Sequence, residues 1–225
     1  MRRASQCFTD EDRRRIQQTV ADAESKTAAE IVPVVATASG RYDRPEDLVG
    51  LWLGLAAMIA VWLFVPEDAG DAGSWGGVPP VLKGLGMVAA VMVGFFVGAL
   101  AGSRIGWLRR IFTPRGQMHE ELMARARQVF FDQRVRRTAG GTGLLLYVSL
   151  YERMAAVLGD QAVLEKLGQP ALDELCKHLT DGLRRSPPAE ALTATIRAAG
   201  DRLAPALPRA ANDANELPDG VITVD

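Results

Sequence analysis

Residues Leu48 to Val65 read LVGLWLGLAAMIAVWLFV, and Gly84 to Ser103 read GLGMVAAVMVGFFVGALAGS. Neither run holds a charged residue. At a helical rise of about 1.5 Å per residue, each can cross a hydrocarbon core of about 30 Å, the first only just. A backbone in that core must satisfy its own hydrogen bonds, so both runs are expected to be helices. The competing reading is a pair of helices buried in a soluble core. A chain of 225 residues can hardly bury two helices that are apolar on every face.

The flanks orient the pair. Arg41 and Arg44 precede the first run, and Arg104, Arg109, Arg110 and Arg115 follow the second. The connection from Pro66 to Lys83 has one basic residue against Glu67, Asp68 and Asp71. Basic residues mark the cytoplasmic side, so both termini are expected in the cytoplasm and the short loop outside. Trp52, Trp62, Trp75 and Trp107 fall near the expected interfaces, where amphipathic rings are favoured. Gly94, Gly98 and Gly102 recur every four residues and make one smooth stripe. Such a stripe packs the two helices together or pairs two protomers as a homo-oligomer. Ordinary glycine enrichment of membrane helices gives the same pattern.

Met1 to Phe8, MRRASQCF, has no apolar stretch, so the first span is expected to act as its own insertion signal. Cys7 and Cys176 would then face a reducing compartment and stay unpaired. With 26 basic and 27 acidic residues, bulk charge argues against nucleic-acid binding. Two cysteines and two histidines, His119 and His178, are too few and too scattered for structural zinc.

Outside the apolar runs the chain reads as α/β. Thr9, followed by Asp10, Glu11 and Asp12, suits a helix start. Ile16, Val20, Ala23 and Thr27 continue at helical spacing. Arg13, Arg14 and Arg15 form a basic run, read as a solvated face or a contact with anionic headgroups. Ala29 to Ala38, AEIVPVVATA, reads as a strand, and Pro33 places it at a sheet edge or a bulge. After the second apolar run, Pro114 opens a helix to about Arg134, with Met118, Leu122, Ala126, Val129 and Phe130 on one face. Arg134, Arg136 and Arg137 close its basic end. Thr138 to Gly143, TAGGTG, is a turn. Gly143–Leu150 and Met154–Leu158 form a β-hairpin across Tyr151, Glu152 and Arg153. Pro170–Leu183 is a helix with Leu172, Leu175, Leu179 and Leu183 on its stripe. Ser186, Pro187 and Pro188 start another, which Pro205 and Pro208 stop.

Neither soluble piece can bury its faces alone. One domain solves this: the first strand lies parallel to the later one, and the Pro114–Arg134 helix is the crossover. The expected fold is α/β, a small mixed sheet flanked by helices and interrupted by a two-helix transmembrane hairpin. Its parts are 1–47, the first piece of the domain; 48–65 and 84–103, the spans; 66–83, the external loop; 104–208, the second piece; and 209–225, a polar tail.

Two stretches, TDEDRRRIQQTVADAESKTAAEIVPVVA and ARQVFFDQRVRRTAGGTGLLLYVSLYERMAAVLGD, resemble the TPM domain family. The resemblance rests on Ala29–Ala36, on Thr142-Gly143-Leu144-Leu145 and on Glu152-Arg153. Asn215-Glu216-Leu217-Pro218-Asp219 resembles the tail of the bacterial branch that carries a membrane insertion. The resemblance implies a helix, strand, helix, strand, turn, strand order. It also implies one of three roles: an accessory factor of membrane complexes, a metal-dependent phosphatase, or a calcium binder. Family members often carry an acidic residue just before the second strand, where this chain has Ala139-Gly140-Gly141-Thr142.

No dinucleotide fingerprint, phosphate loop, zinc-protease motif or nucleophile elbow occurs in the sequence. TAGGTG leads into a strand rather than a helix, so it reads as a turn more than as an anion cradle. The remaining candidates are carboxylates. Asp160 ends a strand, and Glu216 and Asp219 in the tail can fold back to it. Together they would make an all-oxygen site fitting calcium; the plainer reading is a solvated turn and tail. The expected function is an interaction or accessory module for envelope proteins in the cell membrane, not an enzyme. The alternative is a metal-dependent phosphatase or hydrolase.

Overall fold

The computed structural model describes residues 3–40, 44–67, 76–104, 113–135, 138, 140–209 and 217–225. They fall into two units, Met1–Gly40 with Gly116–Asp225, and Arg41–Arg115. Among the described residues there are seven α-helices and a four-stranded mixed sheet.

The first unit starts with α1 (Asp10–Glu24). Thr9 Oγ1 accepts from Asp12 N at 3.1 Å, and Asp12 Oδ2 accepts from Thr9 N at 3.0 Å. This reciprocal capping box satisfies two otherwise orphaned donors at the helix start. Of the basic run, Arg15 pairs with Glu11 and Arg13 donates to the Ser5 carbonyl, while Arg14 is exposed.

Strand β1 (Glu30–Ala36) pairs in parallel with β2 (Gly143–Ser149), Ile31 opposite Leu144 and Val35 opposite Val148. This is the expected pairing. Strand β3 (Met154–Gly159) returns antiparallel beside β2 across a turn in which Arg153 takes φ 53°. The tail adds an element that the sequence reading did not assign: Ile222–Val224 forms a strand, β4, parallel to β1, so the sheet runs β3-β2-β1-β4.

β1 is therefore not an edge strand. The proline is tolerated because β4 pairs only with Val34–Ala36. The Ile31 N–H, two residues before Pro33 and so on the same side of the strand, bonds Glu24 Oε1. Pro33 thus lacks its donor on a stretch that β4 does not reach.

β1 and β2 are buried on both faces, which explains their continuous apolar runs. On one face Ile31, Val35, Leu144, Leu146 and Val148 pack with Ile16 and Val20 of α1. The same cluster takes in α5 (Gln161–Leu167), α6 (Gln169–Arg185) and α7 (Pro188–Ala206) through Val163, Leu172, Leu175, Leu179, Leu192 and Ile196. On the other face Val32, Val34, Leu145 and Tyr147 meet Leu122, Ala126 and Val129 of the crossover helix α4 (Arg115–Asp132).

Three helix ends differ from expectation. Arg134 lies beyond α4 with φ 57°, so the basic residues are past the helix rather than in its last turn; Arg136 and Arg137 lie outside the described residues. Ser186 caps the end of α6, and α7 begins at Pro188. Pro205 sits inside the last turn of α7, its ring tolerated so close to the end at Ala206.

The second unit is a pair of antiparallel helices, α2 (Arg44–Phe64) and α3 (Pro80–Arg104). Each begins four residues before the apolar run that signalled it. Both are long and apolar enough to cross a membrane. A Cβ on Gly94 would lie 2.8 Å from Gly54 Cα, and one on Gly98 2.8 Å from Gly50 Cα. One on Gly102 would lie 3.2 Å from Glu46 Cα. The glycine stripe thus packs α3 against α2 within one chain. Lys83, in the first turn of α3, reaches Glu67 Oε1 at 3.2 Å, and Val78 N donates to Pro66 O. These contacts draw together the two ends of the connection. Trp75 and Trp107 lie outside the described residues.

Candidate functional site

Two polar clusters occupy opposite ends of β1 and β2. At the C-terminal end, Glu152 is 1 % exposed. Its Oε1 accepts from Ser39 N at 2.8 Å, and its Oε2 accepts from the Ser149 hydroxyl. Ser39 Oγ lies 3.0 Å from the Tyr147 hydroxyl, whose pKa burial pushes up. Glu152 therefore ties the β2–β3 turn to the chain leaving β1. Beside it Asp225 accepts from Ser5 Oγ at 2.6 Å and from Thr37 Oγ1 at 2.8 Å. Those bonds, the Ser5 one foremost, hold its carboxyl below the usual range.

At the N-terminal end the buried carboxylates are Glu24 and Glu30. Glu24 Oε1 accepts from Ile31 N at 2.8 Å, while Oε2 is buried with no hydrogen-bond partner among the described residues. Burial, then the negative charges of Glu30 and Asp219, raise its pKa to about 8 against the opposing pull of the Ile31 N–H and Arg209. Glu24 thus keeps its proton at neutral pH. Arg209 Nη1 donates to the Glu24 carbonyl at 3.3 Å. Thr27 Oγ1 and Ala28 N both donate to Leu207 O, fastening the chain after α7 to this corner.

Asp160 begins α5 as its N-cap, with Oδ1 accepting from Gln161 N at 2.8 Å. Its own N–H donates to Gly143 O. Asp219 interacts instead with Glu24, and Glu216 lies outside the described residues. Among the described residues no group of three or more His, Cys, Asp or Glu side chains could hold a metal ion. Within the 138–143 turn, Gly141 N bonds Thr138 O and Thr142 N bonds Thr138 Oγ1. Those two donors are spent inside the turn rather than offered to an anion. Gly143 is required there: a Cβ would fall 2.2 Å from Val135 O. His178 Nδ1 lies 3.2 Å from Thr195 Oγ1, an inter-helix contact between α6 and α7.

Sequence reasoning missed Glu24 and Glu30. The signal was present: Glu24 follows Val20 by four positions and Ile16 by eight, so a carboxylate sits on the apolar stripe of α1.

No family model matches the chain, and no curated protein matches it. Its structure is similar to the NMR structure of the BA42 protein from the psychrophilic bacterium Bizionia argentinensis. The TM-score is 0.55 at 15 % identity, over 96 % of this chain and 94 % of that one. At that identity the likeness shows the fold alone. Fold and site together define a mixed α/β protein that carries two helices long and apolar enough to span a bilayer.

Proposed function

We propose that the chain is a membrane-anchored protein of the TPM type, whose α/β unit is an interaction or accessory module for other envelope proteins. One observation carries the anchoring. Among the described residues, every exposed large apolar side chain except Phe131 and Leu164 lies on α2 or α3. In water such a surface would drive aggregation; in lipid it costs nothing. The basic flanks orient the pair with both termini in the cytoplasm of a multi-pass protein. The TPM assignment is supported by the element order α1-β1-α4-β2-turn-β3, with the hairpin inserted between β1 and α4. Since Gly94, Gly98 and Gly102 face α2, a second copy would have to use another face of the pair. The test is photo-crosslinking of the full chain in native membranes from exposed sites on the α/β unit, read by mass spectrometry. Reproducible adducts with particular envelope proteins are expected. Adducts no richer than those from lipid-facing sites on α3, or hydrolysis of a simple phosphate ester by the purified chain, would overturn the module reading.

A further inference from the structure

Phe131 is the anomaly of the α/β unit. Its side chain is 65 % exposed, while Phe130 beside it packs against the sheet. It stands near the end of α4 on the helix face opposite Leu122, Ala126 and Val129. Arg127, one turn earlier, is exposed on the same side, and Arg134, just beyond the helix, is exposed too. Neither arginine makes an ion pair among the described residues. Asp132 is exposed too, but points about 100° around the helix from Phe131. Glu120 heads the same stripe, about 16 Å before Phe131.

An exposed ring between two unneutralised arginines matches the headgroup layer of an anionic bilayer. The ring enters the interface, the guanidinium groups meet lipid phosphates, and the arginine stems cover apolar surface. One ring and two arginines fall far short of the roughly 20–30 residues that a stable protein interface takes from each side. The tether favours lipid as well. α4 begins eleven residues after Arg104, a reach of at most about 40 Å. The membrane is therefore present at high effective concentration.

We propose that the exposed face of α4 carrying Arg127 and Phe131, with Arg134 just past the helix end, docks on the anionic headgroups of the bilayer that holds the hairpin, laying the α/β unit against the membrane. This rests on the membrane reading above. The probe is the full chain with Cys7→Ser and Cys176→Ser, spin-labelled at Ala124→Cys, an exposed position on the same stripe. It is reconstituted in nanodiscs of phosphatidylcholine, alone or mixed with phosphatidylglycerol. Oxygen should relax the label more than a water-soluble nickel complex does, but only with phosphatidylglycerol. Arg127→Gln and Arg134→Gln should each lower the docked population about fivefold, and Phe131→Ser should lower it too. A label at Leu164→Cys should stay aqueous throughout. An aqueous label at position 124 in both lipids overturns the proposal. Equal shielding in both also overturns it, and points to a protein contact instead. A label at Val93→Cys separates the two readings: lipid-like there with position 124 aqueous, only the docking fails; aqueous at Val93, the membrane reading fails with it.

Discussion

In the α/β unit the core is filled by large apolar side chains, Ile16, Leu122, Leu144, Leu175 and Leu192 among them. In the helical pair the buried positions of α3 are Gly94, Gly98, Gly102 and Lys83. There Trp52, Trp62, Phe64 and Phe96 face outward, each 60 % exposed or more. The same chain thus follows two opposite burial rules. On the proposed membrane reading, the difference reflects the solvent that each unit answers to. In water, burying a leucine stabilises by about 2 kcal/mol. In lipid that drive is gone, and helices associate through close backbone approach, which small residues allow.

Alanine substitution at glycines breaks or sharpens this comparison. Gly143→Ala should be the most damaging, by about 3 kcal/mol or more, because the new methyl meets the Val135 carbonyl with no room to move. Gly98→Ala should cost about 1–3 kcal/mol by prising α3 from Gly50. Gly86→Ala, with nothing within 4 Å, should change little. Thermal melts of the full chain in micelles would rank the three. A Gly86 effect equal to that of Gly98 would mean the stripe does not hold the pair together.

Glu24 gives the next effect. Its folded pKa, about 8, lies above the ordinary 4.5. Below the ordinary value both folded and unfolded states hold the proton. Between the two values only the folded state holds it, so rising pH favours unfolding until about pH 8. Glu24→Gln keeps an acceptor for Ile31 N and removes the titration. The variant should match the wild type near pH 5 and exceed it at pH 9 by on the order of 2 kcal/mol. Parallel pH profiles for the two chains would show that Glu24 is not the buried acid. Thr9→Ala should cost less, about 1 kcal/mol, by opening the capping box. Gln18→Ala, at an exposed position of the same helix, is the comparison that isolates the cap.

Much of this was legible in the chain. The Ile31–Leu144 pairing followed from two apolar strands that needed one another, and the Thr9 cap from its own motif. Three-residue β4 was not legible, because Ile222–Val224 is too short to show a period. Nor was the interior position of β1, since Pro33 signals an edge and only the Glu24 contact shows why the rule bends. Asp160 was singled out as a ligand from its place after a strand. The same place makes it an N-cap, and sequence alone does not separate the two roles. Glu24 was overlooked because one carboxylate on a helix stripe looks like a surface residue until the neighbouring strand and the tail close over it.

The central claim is that α2 and α3 cross a bilayer with the α/β unit on the cytoplasmic side. Single cysteines at Gly76, Val93 and Ala124, in a chain with Cys7→Ser and Cys176→Ser, test it through a membrane-impermeant maleimide on intact cells. Position 76 should be labelled at once, position 124 only after permeabilisation, and position 93 under neither condition. Labelling at position 93, or at position 124 in intact cells, would contradict the account.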